Sequence, residues 1–168
     1  VKYTLHKNFL DKELFDLIQR EVIQEEFPWY YKPINEIRKG YFSHSYYNNC
    51  VVNSDLYTRH ILPILNKLKA VAVIQIRANM FISEFYKGER SKWHTDYPFK
   101  CTTSILYLNT CDGGTEISVD GKTIFIKQEA NTMLIFDSDV PHRGTPTKND
   151  DTRYLINFNY FKPDEFNT

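Results

Sequence analysis

From Val71 the hydrophobic pattern changes to period two, in a series of short runs that ends at Phe161. That period commits the region to strands, because successive side chains of a strand point to opposite faces. In residues 71–86, Ile74, Ile76, Ala78, Met80 and Ile82 share one face while Gln75, Arg77 and Asn79 share the other. Further strand-like runs fall at residues 102–108, 116–119, 123–126, 132–136 and 152–161, punctuated by Gly113-Gly114, Asp120-Gly121 and Gly144. Many short strands separated by turn signals predict a β-sandwich or barrel. The aromatic load, 15% of residues, suits pleated, half-buried surfaces better than helices.

The first third reads differently. Leu14, Phe15, Ile18, Val22 and Ile23 follow helical spacing, with Asp11 placed to cap the helix and Pro28 to end it. A second helix is expected after Ser54, carrying Leu56, Ile61, Leu62, Leu65 and Leu68, with a kink or break at Pro63. Between them, residues 27–50 hold Trp29, Tyr30, Tyr31, Tyr41, Phe42, Tyr46 and Tyr47. This stretch is read either as a hairpin packed on the core or as a substrate-facing loop. The expected organisation is a single domain over residues 1–168. Residues 1–70 provide helical support and the aromatic stretch, and residues 71–161 form the sandwich, with two helices covering one sheet.

Composition narrows the partners. Lys+Arg and Asp+Glu both number 21, so the basic excess of a typical nucleic-acid binder is missing. No apolar run approaches the roughly 18–20 residues of a membrane helix. Cys50, Cys101 and Cys111 form no CxxC pair, and an odd count suits reduced thiols in a cytoplasmic protein. Oligomeric state and source leave no mark in the sequence.

The last strand carries the first sign of a site. Tyr154, Ile156, Phe158 and Tyr160 face one way, toward a helix layer, which turns Arg153, Leu155, Asn157 and Asn159 into the sandwich. Inward polar groups are costly unless they bind something. His94-Thr95-Asp96 places two metal-capable side chains on the same side of a strand, and His142 follows just past an apolar run. Two His and one carboxylate on one face make a facial triad suited to non-haem Fe(II), with open positions for a 2-oxo acid and dioxygen. Zinc hydrolysis uses the same ligand types. It leaves an inward Arg153 unexplained, whereas a dicarboxylate co-substrate matches the guanidinium fork.

Several segments in order resemble the Fe(II)/2-oxoglutarate-dependent dioxygenases, in particular the prolyl-4-hydroxylase-like branch. They are Tyr86-Lys87-Gly88, His94-Thr95-Asp96-Tyr97-Pro98, Tyr107-Leu108-Asn109, Gly113-Gly114-Thr115-Glu116, His142-Arg143-Gly144 and Thr152-Arg153-Tyr154. The ending Asn157-Phe158-Asn159-Tyr160-Phe161 also resembles small oxygenases of marine tailed phages. The resemblance covers about half the chain, from Arg77 to Phe161. It implies a double-stranded β-helix (jelly roll) with Fe(II) held by His94, Asp96 and His142 as the catalytic centre. It implies that Arg153 grips the distal carboxylate of 2-oxoglutarate, with Tyr107 assisting and Tyr86 and Asn157 close by. It also implies that a segment before the core strands folds over the metal. Trp29, Tyr30 or Tyr41 is therefore expected at the pocket mouth, with Arg77 and Asn79 as further candidate substrate contacts.

The implied reaction consumes 2-oxoglutarate and dioxygen, releases succinate and CO2, and hydroxylates a peptidyl (prolyl-like) or other small acceptor. Asp96 as a ligand favours hydroxylation over halogenation. Two alternatives stay open: a nucleic-acid demethylase of the same superfamily, and a non-catalytic jelly-roll binding domain. The strand face Leu155, Asn157, Asn159 lacks the further Arg of the repair enzymes, which weighs against the first. Arg143 reads as structural, His6 and His60 as surface residues, and His44 as a possible substrate neighbour.

Overall fold

The computed structural model describes residues 2–34, 39–149 and 152–163. In chain order the elements are β1 (Tyr3–Lys7), α1 (Lys12–Ile23), β2 (Tyr30–Ile34), β3 (Lys39–Asn48), β4 (Val51–Val52), a π-helical turn (Tyr57–Ile61), α2 (Leu62–Leu68), β5 (Ala72–Ile82), α3 (Ser83–Tyr86), β6 (Thr102–Tyr107), β7 (Gly114–Val119), β8 (Lys122–Lys127), β9 (Thr132–Asp137), β10 (His142–Thr145) and β11 (Thr152–Phe161). The large sheet runs β1-β9-β6-β11-β5-β3-β2, with β4 paired to β3, and the small sheet runs β10-β7-β8. Neighbouring strands are antiparallel throughout the described pairings. This is the sandwich that the strand pattern predicted, in the jelly-roll form that the family resemblance implied.

Alternation along β11 divides the interior into two cores. Ile156, Phe158 and Tyr160, all fully buried, meet Phe15, Ile18 and Val22 of α1 and Ile64, Leu65 and Leu68 of α2. Each such side chain contributes about 1.5–3 kcal/mol when buried. Leu155, on the opposite face, joins Ile105, Tyr107, Ile117, Ile126 and Leu134 between the sheets. The helices therefore cover one face of the large sheet, and the site lies on the other. Asp11 caps α1 by accepting from Leu14 N at 3.0 Å. Pro63 sits in the first turn of α2, where its missing N–H costs nothing.

In the first third one open reading is decided, one strand is added and one residue moves inside. The aromatic stretch 27–50 is a hairpin, and β2 and β3 extend the large sheet beyond β5; its residues 35–38 lie outside the described residues. β1, which the sequence reading passed over, pairs with β9 at the other edge. Residues 1–70 thus supply strands as well as helical support, because both edges of the sheet present unpaired backbone groups that further strands satisfy. His60 is fully buried, not on the surface. Its ring lies 2.9 Å from the Tyr46 hydroxyl and 2.6 Å from Glu21 Oε2, so its polar atoms are satisfied under the helices.

Trp29 turns toward the helix-side core, against Phe27 (centroids 4.7 Å) and Tyr154 (6.1 Å). Trp29→Ala should therefore cost about 2 kcal/mol of stability, less than a fully buried Trp, and leave co-substrate binding unchanged. Tyr41→Ala should do the reverse if Tyr41 stands at the pocket mouth as the resemblance implies, with little loss of stability and poorer coupling of the implied 2-oxoglutarate consumption to product. Thermal melts and succinate-to-product ratios for the two variants check this; exchanged phenotypes would reverse the two assignments.

Candidate active site

The loop between α3 and β6 carries His94 and Asp96, and backbone and side-chain contacts tie it to the small sheet. Ser91 N donates to Gly144 O at 3.0 Å, and Gly144 N donates to Ser91 Oγ at 2.7 Å. Glu116 of β7 pairs with the Arg90 guanidinium (Nε to Oε1, 2.9 Å) and accepts a hydrogen bond from Arg143 Nε at 2.6 Å. Arg143 also lies over the Trp93 ring, 4.5 Å from its centroid, so it braces the loop as the structural reading expected. Then His94 N donates to His142 O (3.1 Å) and His142 N to His94 O (2.9 Å). That reciprocal pair is an antiparallel bridge, which sets the two side chains on one face.

His94, Asp96 and His142 each offer one ligand atom, and the three atoms lie within 4.8 Å of one another. His142 Nε2 stands 3.5 Å and His94 Nε2 4.0 Å from Asp96 Oδ1. Their other atoms are already committed. His94 Nδ1 donates to Lys92 O at 3.0 Å and His142 Nδ1 to Val140 O at 3.1 Å, which fixes the tautomer and presents the Nε2 lone pairs. Asp96 Oδ2 accepts from Thr103 Oγ1 at 2.9 Å and Asn159 Nδ2 at 2.8 Å, leaving Oδ1 for the shared centre. Burial alone would raise the Asp96 carboxyl. The His142 hydrogen bond and charge, with Asn159 and Thr103, hold it well below the usual carboxylate range. Burial first, and then the neighbouring His142 and Arg77, lower His94, so it is a neutral donor at neutral pH. Two imidazoles that present Nε2 and one ionised carboxylate, each anchored through its far atom, fit a divalent iron.

The triad's two His open onto a cavity of about 180 Å³ shared with Arg77, Asn79, Tyr86, Arg153 and Asn157. Arg153 projects inward from β11 and is 3% exposed, so its charge needs partners. Nε donates to Gln128 Oε1 and Nη1 to Thr145 O, both at 3.0 Å, while Nη2 is buried with no hydrogen-bond partner. Burial pulls its proton affinity down, with Tyr107 opposing. A carboxylate facing Nη2 would complete it. Gly113 makes the space: a Cβ there would lie 2.8 Å from Arg153 Cδ.

Tyr86 lines the cavity and donates to Gly40 O at 3.1 Å. It shares the cavity with Arg77 because β5 stops at Ile82 and the short α3 re-aims the chain, where the sequence reading considered a bulge. Tyr107 is fully buried beside the cavity, and its hydroxyl donates to Thr115 Oγ1 at 2.9 Å. Burial pushes both phenols up to about 12, so both stay protonated donors. Thr115, not Tyr107, supplies the lining atom there.

Of the three mouth aromatics, Tyr41 lines the cavity, stacked on Phe81 at 5.3 Å. Trp29 belongs to the helix-side core. Tyr30 is 62% exposed on edge strand β2 and lies in a separate surface groove. Alternation along that strand and a proline just before it direct these rings, which spacing alone does not reveal. His44 also lies away from the cavity, between Pro28 O and Ser54 Oγ. The sequence reading missed Gln128 and Thr103. The signal for Thr103 was its register opposite Asn159; Gln128 carried none.

Residues 80–161 match the family model described as the 2OG-Fe(II) oxygenase superfamily. No curated protein matches the sequence. Among solved structures, a Trichoplax adhaerens prolyl hydroxylase in complex with a hypoxia inducible factor oxygen degradation domain peptide fragment aligns with TM-score 0.73 and 17% identity, covering 98% of this chain and 85% of that one. A Pseudomonas putida prolyl-4-hydroxylase aligns with TM-score 0.68 and 15% identity, covering 96% and 93%. The non-heme alpha ketoglutarate dependent epimerase SnoN from nogalamycin biosynthesis aligns with TM-score 0.69 and 12% identity, covering 96% and 78%.

Proposed function

We propose that the chain, whose residues 80–161 match the 2OG-Fe(II) oxygenase superfamily model, is an oxygenase of that family and hydroxylates a peptidyl, prolyl-like or comparably small acceptor. Bound iron, with 2-oxoglutarate and dioxygen, supplies the oxidation: the acceptor gains one oxygen atom, and the co-substrate leaves as succinate and CO2. The chain's own residues supply position. His94, Asp96 and His142 would hold the metal, each fixed by a second hydrogen bond. Arg153, held at two of its nitrogens, presents the third to the distal carboxylate, with Thr115 and Tyr86 alongside. Tyr41, Phe81, Ile105 and Leu155 give apolar walls that exclude water around the acceptor.

The observation that carries this reading is that two ligand histidines and the unpartnered Arg153 Nη2 face one small cavity. A sugar-binding or purely structural sandwich gives no reason to aim both there. The prolyl hydroxylase neighbours support a ring-bearing acceptor by likeness of fold. Incubation with Fe(II), 2-oxoglutarate and air should add one oxygen to prolyl peptides or to small acids and amides, read by mass spectrometry. Succinate release with no oxygen gained by any acceptor in either panel would reject hydroxylation of this class.

A further inference from the structure

Two guanidiniums face the cavity, and the proposed chemistry uses only one. Arg77 projects from β5, paired with Asn157 of β11 on one side and Ser45 of β3 on the other. Its Nε is buried with no hydrogen-bond partner, as are Asn79 Oδ1 and Asn157 Oδ1. Among the described residues no carboxylate lies within ion-pair distance of it. Asp96 is committed elsewhere, one oxygen to Thr103 and Asn159 and the other to the histidines. The register sets Phe81, not Arg77, opposite Arg153. Arg77 is therefore four residues along β5 from that point, about 13 Å at the backbone. Gln128 and Thr145 hold Arg153 at its own end.

Charge counting leads the same way. Asp96 and a dianionic co-substrate together balance a divalent metal and one guanidinium. The second guanidinium stays uncompensated in a half-closed, largely apolar cavity, where an unpaired charge is expensive. Resting on the oxygenase reading, we infer that the prime substrate carries its own carboxylate, which Arg77 binds with Asn79 and Asn157 as flanking polar contacts. A free acid and an acidic residue beside the reacting group share this chemistry. The apolar rings of Tyr41 and Phe81 then meet the carbon skeleton.

The test is calorimetric and needs no turnover. Protein loaded with Fe(II) and saturating 2-oxoglutarate under argon is titrated with N-acetyl-L-proline against its neutral partner N-acetyl-L-prolinamide, and with N-acetyl-L-prolyl-L-aspartic acid α-amide against its neutral asparagine counterpart. Acetate and acetamide serve as a minimal pair. At least one acid should bind about tenfold or more tightly than its neutral partner. Arg77→Met should abolish that preference, Arg77→Lys should keep part of it, and 2-oxoglutarate affinity should stay within about twofold in both. Preference for the first acid marks a free acid as the source, and preference for the second marks an acidic peptide. Equal binding of acids and amides, no acid binding at all, or a preference that survives Arg77→Met overturns the inference. So does inorganic phosphate displacing acids that bind more weakly than it does. Failure of the iron-loaded wild type to bind 2-oxoglutarate would instead strike the oxygenase reading beneath it.

Discussion

Arg153→Met should weaken 2-oxoglutarate binding by about two to four orders of magnitude and leave metal binding in place. The guanidinium is buried and already held at Nε and Nη1, so its free Nη2 is presented without reorganisation. Met fills the space but leaves the distal carboxylate against Phe81 and Leu155 with no cation, and removing one partner of a buried pair costs about 3–5 kcal/mol. Gln128 loses a partner as well, though it keeps its bonds to Asn109 Oδ1 and Tyr154 O, so the strand ends stay tied. Titration of iron-loaded protein under argon reads the change. Unchanged affinity would show that the co-substrate lies elsewhere in the cavity.

The second large effect is at the metal. His94→Ala should remove Fe(II) binding at micromolar iron and reduce turnover below detection, with the melting temperature of the metal-free protein near wild type. The His94 side chain is 51% exposed, and its backbone bridge to His142 does not need the imidazole. His142 makes a poorer control. It is 4% exposed and packs edge-on against Phe136 at 4.8 Å, so His142→Ala combines ligand loss with a core cavity. Asp96→Ala likewise strands Thr103 and Asn159 as buried polar groups without a charged partner.

What the sequence made legible follows from period. Along β11 the alternation of Arg153, Asn157 and Asn159 with Ile156, Phe158 and Tyr160 assigns a binding face and a helix face before any coordinates exist, because a strand has only two sides. The His94-x-Asp96 pair was read as one side of a strand; it sits instead on the loop between α3 and β6, and the single bridge from His94 to His142 brings the ligands to one face. The aromatic hairpin was not, since Trp29, Tyr30 and Tyr41 are chemically alike and diverge only through which strand, and which side of it, each ring occupies. His60 was misread because its partners, Tyr46 and Glu21, lie 14 and 39 positions away. Tyr86 needed the four residues of α3 to swing it beside Arg77, and a four-residue turn has no periodic signature. Gln128 belongs to the same class: its partners at the site, Arg153 and Tyr154, lie 25 and 26 positions later.

The most direct measurement is succinate formation from 2-oxoglutarate by purified protein, with and without Fe(II), in air and under argon, for wild type and His94→Ala side by side. Succinate that requires both iron and dioxygen in the wild type, and stays at background in His94→Ala, is the result expected of this triad. Equal succinate from the two proteins, or none from iron-loaded wild type in air with prolyl and carboxylate acceptors present, would contradict it.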